Sequence, residues 1–500
     1  MNSASNSSTS DQDEILIFNG IDGTTGGYLL PVMTPAEVAS IAKGERLDRD
    51  HLFDLKLRHR QATETRRRIK EGLDPQLLSQ AGWGVIFAFQ DQDKIPALKE
   101  ALGELLNLRQ QQAGERYREY SGVNACRPGE SKSSFLGRQG AGPGPVDPDK
   151  MPFYLLIVAD PASIPYSFQY QLDVQYAVGR IHFENMDEYA HYAHSVVAAE
   201  TGPIALPPKA SFFGVENPDD RATQLSANLL VQPLADLFEA DRSRSGWEIQ
   251  ATLGKDATKA ALSDNLTAHD SPALIFSASH GMGFPNADPR QRPHQGALLC
   301  QDWPGPLAWR GPIPEEYYLS ADDIASDAHL LGKLAILFAC YGAGTPQMDE
   351  FTQVYFREPT SIAPHAFIAR LTQRLLGHPN GGMLAVLGHV DRTWSCSFTW
   401  KNAGSQLAVF ESALKRLMAG QQVGLAMEYF NERYAELSSM LTEELQSARF
   451  GKLIDTLDMA GMWTANNDAR SYVVIGDPAA RLRVSAQTNI LGQSAAETAF

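Results

Sequence analysis

The chain is punctuated by short runs that are apolar at nearly every position, bounded by turn residues and separated by stretches with helical spacing. Residues 273–277 in PALIFSASHGMG and 334–339 in KLAILFACYGAG are two of them, and neither shows a polar alternate face. Such a run reads as a strand buried on both sides, which is what a parallel sheet covered by helices requires. Strands are expected at 84–89, 153–158, 174–178, 210–215, 247–252 and 383–387, and helices at 95–112, 186–200, 221–240, 257–265, 363–376 and 405–440. Alternation of this kind implies an α/β fold with a mainly parallel sheet.

The length of 500 residues, 43% of them hydrophobic, is enough for two to four domain-sized units. The expected division is a disordered leader over 1–14, an N-terminal extension over 15–80, a first, non-catalytic α/β subdomain over 81–208, a catalytic subdomain over 209–400, and a helical region with a terminal strand over 401–500. Within the extension, the Arg-rich stretch 51–71 has too few apolar positions to bury much of a helix and reads as a solvated face. The stretch 126–150, rich in Gly, Pro and Ser, reads as a loop.

A net charge of -16 excludes a general binder of nucleic acid or of anionic membranes, since both need a cationic face. No run of 18 apolar residues occurs, and MNSASNSSTSDQDE lacks the cationic and apolar pair of a secretion signal. Four scattered cysteines without a CxxC pair point to a reducing compartment and give no zinc spacing. The expectation is a cytoplasmic protein with no metal and no cofactor.

Two of the apolar runs end on residues with chemistry: one delivers His280 and Gly281, the other Cys340, Tyr341, Gly342 and Gly344. Ligands of a parallel sheet sit at the carboxyl ends of its strands, so both residues can face one crevice. An imidazole next to a thiol lowers its pKa and later supplies a proton to a leaving amine. Cys340 is then the nucleophile and His280 the acid and base. Gly281 lets the backbone approach closely enough for its N–H, with that of Cys340, to form an oxyanion hole. Taken singly, a His or Cys at a strand end is more often structural; the two in sequence are harder to explain that way. Ser277 and Ser279 are candidates to orient the imidazole, although strand-end serines are commonly turn formers. His294, His365, His378 and His389 have no partner that spacing singles out.

The motifs SHG and ACYGAG, in that order, resemble those of the caspase-hemoglobinase fold, and within it the gingipain-like and CHAT-type peptidases of prokaryotes. FYLLIVADPASIP, VQYAVGRIHF, NGGMLAVLGHVDRTW and YVVIGDPAARL add to the likeness, which spans roughly 83–484. The resemblance implies a cysteine endopeptidase acting on a protein or peptide substrate, with a regulatory partner protein in prospect. It also implies that the substrate side chain is read by VENPDDRATQ and GHVDRTWSCS. Asp219 and Asp220 would then pair with a substrate Arg or Lys, Arg221 with an Asp, and Trp394 would form a pocket wall. The plainer alternatives are that NPDDR is a helix cap and first turn, and that Trp394 is core. A catalytically inactive scaffold of the same fold is the competing function. A dinucleotide site is disfavoured because Pro346 and Gln347 interrupt the glycine pattern, and no GxSxG elbow is present.

Overall fold

A computed structural model of the chain describes residues 18–30, 33–44, 56, 69–203, 205–349, 360–400, 404–450 and 455–485. The expected leader and nearly all of the Arg-rich stretch lie outside these residues. Ten strands form one continuous sheet: β1 (Trp83–Phe87), β2 (Tyr117–Tyr120), β3 (Tyr154–Val158), β4 (Ala177–Ile181), β5 (Lys209–Gly214), β6 (Glu248–Leu253), β7 (Leu274–Ala278), β8 (Leu334–Phe338), β9 (Ala385–His389) and β10 (Tyr472–Gly476). Their order across the sheet is β2-β1-β3-β4-β10-β9-β8-β7-β5-β6. β1 to β4 are parallel to one another, as are β5 to β9, and β10 runs antiparallel to β9. This is the α/β, mainly parallel sheet flanked by helices that the alternation implies.

Burial explains the composition of the strands. Every residue of β1, β3, β4, β7, β8, β9 and β10 is buried, whereas the edge strands β2 and β6 carry exposed positions. The edge strand β2, sequence YREY, shows no apolar run and escapes the sequence reading for that reason. The strand expected at 174–178 lies three residues further on, because Val174 closes the helix Tyr166–Asp173. Its Arg180 is fully buried, with its guanidinium donating to Gln169 Oε1 and to the carbonyls of Ala159 and Pro165. The stretch 126–150 contains a helix, Lys132–Arg138, capped by Ser131.

The terminal strand is tied in by charge as well as by ladder bonds. Arg109, wholly buried, donates to Asp477 Oδ2 at 2.6 Å and to both carboxylate oxygens of Glu200 at 2.7 Å, and Trp83 Nε1 donates to Asp477 Oδ1. At the other end of the chain, the helix Pro35–Gly44 packs on the helix Thr456–Arg470. Val38, Ile41, Trp394, Leu441, Met459 and Trp463 form a small core between them. Among the described residues, no helix is long and apolar enough to cross a membrane.

Candidate active site

β7 and β8 are adjacent, parallel and in register, from Leu274 opposite Leu334 to Ala278 opposite Phe338. His280 lies two residues beyond the end of β7, and Cys340 two beyond the end of β8. Neighbouring strands are about 4.8 Å apart, so equal overshoot places the two residues at one level on adjacent chains. Gly281 shows how tight the approach is. A Cβ there would fall inside the Cys340 carbonyl oxygen and lie 2.7 Å from its carbon and 2.8 Å from its amide nitrogen. Only glycine fits. Among the described residues, neither the Gly281 N–H nor the Cys340 N–H donates a hydrogen bond.

The third member of the site is Asp220. It caps the helix Arg221–Ser226 and is fully buried. Its Oδ2 accepts from His280 Nε2 and from Thr223 Oγ1, both at 2.6 Å, and its Oδ1 accepts from the Tyr28 hydroxyl at 2.5 Å. Burial alone would raise its pKa, yet the interaction with His280 and these hydrogen bonds pull it down to about 2. An ionised carboxylate only accepts, so His280 Nε2 carries the hydrogen and Nδ1 is left as the basic nitrogen. That Nδ1 is buried and makes no hydrogen bond among the described residues. The ring sits between Tyr28, with centroids 5.9 Å apart, and Trp303, at 6.4 Å.

Cys340 is fully buried, and its Sγ accepts from Thr393 N at 3.2 Å, with Thr393 Oγ1 at 3.5 Å. Burial pushes its thiol up to about 12, the opposite direction from the lowering that activates a nucleophilic cysteine. Tyr341, the next residue, holds a left-handed backbone, φ 59°, fixed by its N–H donating to the Asp391 carbonyl. Such a conformation costs on the order of 1–3 kcal/mol and persists only where the surroundings impose it.

The other site residues fall elsewhere. Asp220, expected to line a pocket, is instead buried and held by His280, Thr223 and Tyr28, which leaves its carboxylate closed to a substrate cation. Asp219, at φ 57°, and Arg221 are exposed beside it. Trp394 is buried against Trp463 in the small core rather than forming a pocket wall. Ser277 Oγ has no hydrogen-bond partner among the described residues and Ser279 Oγ donates to the His280 carbonyl, so neither touches the ring. His294 bonds Tyr318, His378 the Ala325 carbonyl, His389 lies tilted against Tyr472 with ring centroids 3.9 Å apart, and His365 is exposed. Gly344, after Cys340, is closely packed: a Cβ there would strike the Tyr166 hydroxyl. Thr393 was missed as a thiol partner, although GHVDRTWSCS had drawn notice for another reason. Among the described residues no cluster of His, Cys, Asp and Glu could hold a metal ion.

No protein-family profile matches the sequence, and no curated protein matches it. Among solved structures the chain is similar to one described as a protease, with 12% identity and a TM-score of 0.46, covering 85% of this chain and 82% of that one. It is similar to the Arg-specific cysteine proteinase gingipain R, with 12% identity and a TM-score of 0.41, covering 81% and 79%. A third likeness, to separase of Saccharomyces cerevisiae in complex with securin, has 11% identity and a TM-score of 0.29, covering 66% and 16%. All three fall below a TM-score of 0.5.

Proposed function

We propose that the chain is a cysteine-type endopeptidase of the caspase-hemoglobinase kind, acting on protein or peptide substrates. The observation that carries this reading is the matched overshoot of β7 and β8, which brings His280 and Cys340 to one level with Gly281 pressed on the Cys340 backbone. His280 Nδ1 takes the thiol proton as Sγ attacks the scissile carbonyl. The C–N bond then breaks with that proton passing to the amine, and water completes hydrolysis of the thioester. The N–H groups of Gly281 and Cys340, which donate no hydrogen bond among the described residues, suit the oxyanion that forms between these steps. Asp220 holds the imidazole in the tautomer the first step needs.

The ground for a basic residue before the scissile bond is weakened, since Asp220 is already engaged, although Asp219 remains an exposed carboxylate beside it. An inactive scaffold is the second reading, favoured by the thiol's bond to Thr393 in place of His280. Fluorogenic peptides with Arg, Lys or Asp before the reporter separate the two. The wild type should cleave at least one class and Cys340→Ala none. Equal turnover by both proteins would remove Cys340 from the chemistry.

A further inference from the structure

The N-terminal element read from the sequence as a simple addition crosses the site itself. Residues Phe18–Asn19 pair antiparallel with Thr393–Trp394 on one side of the crevice. Ile21–Asp22 pair parallel with Met282–Gly283 on the other. The segment is thus a strand gripped along both edges, by the stretch that follows β9 and by the stretch that follows His280. Between the two grips lies Gly20, directly over the thiol: a Cβ there would be 2.9 Å from Cys340 Sγ and 2.6 Å from Leu29 Cδ1. Ile21 N donates to the Gly281 carbonyl and Gly23 N to the Gly283 carbonyl. These are the main-chain groups that an extended peptide would use to add a strand at this edge.

The returning limb of the segment touches the other two members of the site. The Tyr28 hydroxyl donates to Asp220 Oδ1, and the Tyr28 ring stands edge-on to His280. Ile21 is fully buried in a cluster with Met282, Phe284, Trp303 and Tyr318, residues of the proline-rich insert between β7 and β8 and its flanks. A few residues on, the helix Pro35–Gly44 docks on Thr456–Arg470 and anchors the limb. Within the segment, Leu29 N donates to the Gly20 carbonyl at 3.1 Å and Asp22 N to that of Gly27 at 2.8 Å. The carbonyl of the residue over the thiol is therefore held by the segment's own return limb and not by the Gly281 and Cys340 N–H groups. Its carbonyl is turned away from the position in which attack would be stabilised.

We propose that residues 18–30 form a strap that occupies the substrate groove of this chain in the manner of a peptide, and that the groove admits a protein substrate only when the strap is displaced. The occupancy stands on the pairing and packing described here; its consequence for turnover rests on the endopeptidase reading above. A strand held on both edges excludes a second strand from the same edges, so an incoming substrate must compete with a covalently tethered occupant at high effective concentration. The complete burial of Cys340 follows from the same arrangement.

The test is the rate at which iodoacetamide alkylates Cys340 in the folded full chain, read by mass spectrometry of its peptide, with buried Cys126 and Cys300 as internal references. Two variants loosen the strap. Gly20→Leu cannot be seated against Leu29 and Cys340, and Tyr28→Phe deletes only the hydroxyl bound to Asp220. Loss of a hydrogen bond to a charged group should speed Cys340 labelling in Tyr28→Phe by about tenfold, and Gly20→Leu should speed it further. The reference cysteines should not change. If Gly20→Leu also exposes Cys126 and Cys300, it has unfolded, and Tyr28→Phe decides. Cys340 labelling that stays at the wild-type rate in a folded Tyr28→Phe protein overturns the strap. Hydrolysis of the fluorogenic peptides in the same samples distinguishes the two proposals. Faster labelling without hydrolysis of any peptide upholds the strap and counts against the endopeptidase, while hydrolysis with unchanged labelling does the reverse.

Discussion

Asp220→Asn tests the orienting carboxylate without altering the shape of the site. In the native protein the carboxyl is fully buried and its pKa is drawn from 3.8 to about 2 by His280, Thr223 and Tyr28, against the opposing effect of burial. That depression corresponds to stability on the order of 2–3 kcal/mol, since each tenfold change in acidity is worth about 1.4 kcal/mol. The folded-state pKa is depressed, so this stability is fully present above the unfolded value near 4 and is lost as the pH falls through about 2. Asparagine does not titrate. The variant should therefore be less stable than the wild type by about 2–3 kcal/mol at pH 6, with the gap narrowing below pH 4 and closing near pH 2. Urea unfolding at pH 6, 5, 4 and 3, followed by tryptophan fluorescence, measures it, and Trp303 beside His280 supplies a local probe. A gap that stays constant from pH 6 to pH 3, or no gap at pH 6, would refute the assignment of Asp220 as the ionised partner of His280.

Four further outcomes are expected. Gly281→Ala drives a methyl group into the Cys340 backbone, and the displacement of roughly 1 Å needed to relieve it should lower kcat/KM for a cleaved peptide by about 100-fold in a protein that still melts cooperatively. In the unmodified chain, Cys340 should alkylate as slowly as Cys126 at pH 8, because burial raises both thiols to about 12, and the rate should climb only as the pH rises toward that value. Arg109→Met leaves Asp477 and Glu200 as buried carboxylates without their common cation, which should cost about 3–5 kcal/mol in denaturant unfolding. Gly461→Ala, inside the helix Thr456–Arg470 with open space around the new methyl, should stabilise the protein by about 1 kcal/mol, seen as a higher melting temperature.

The legible part of the site was the part written locally. LIFSA and LAILF are apolar at nearly every position, so their burial on both faces, and hence a parallel sheet, follows from composition alone. His280-Gly281 and Cys340 then follow two such runs, a relation visible before any coordinates, although the runs as read end at 277 and 339 and only the structure gives both residues the same overshoot. Asp220 was visible too, but with the wrong task. NPDDR offers two adjacent carboxylates and a cap signal, and nothing local tells which one turns inward; the cap geometry at the start of Arg221–Ser226 buries Asp220 and leaves Asp219 exposed. The strand YREY and the shifted β4 were missed because an edge strand needs no apolar run, and because a fully satisfied buried arginine reads in sequence as the end of a strand.

By itself, then, the sequence determined the alternation of strands and helices, the parallel sheet, and the pair of strand ends that carry His280 and Cys340. These depend on periodicity and on residues a few positions apart. Tertiary structure alone decided that Asp220 orients the imidazole, that Thr393 holds the thiol, and that Gly20 lies across Cys340. Each of those depends on which distant groups share a buried space, and the ionisation of a carboxylate or thiol is set by that space and by the charges in it.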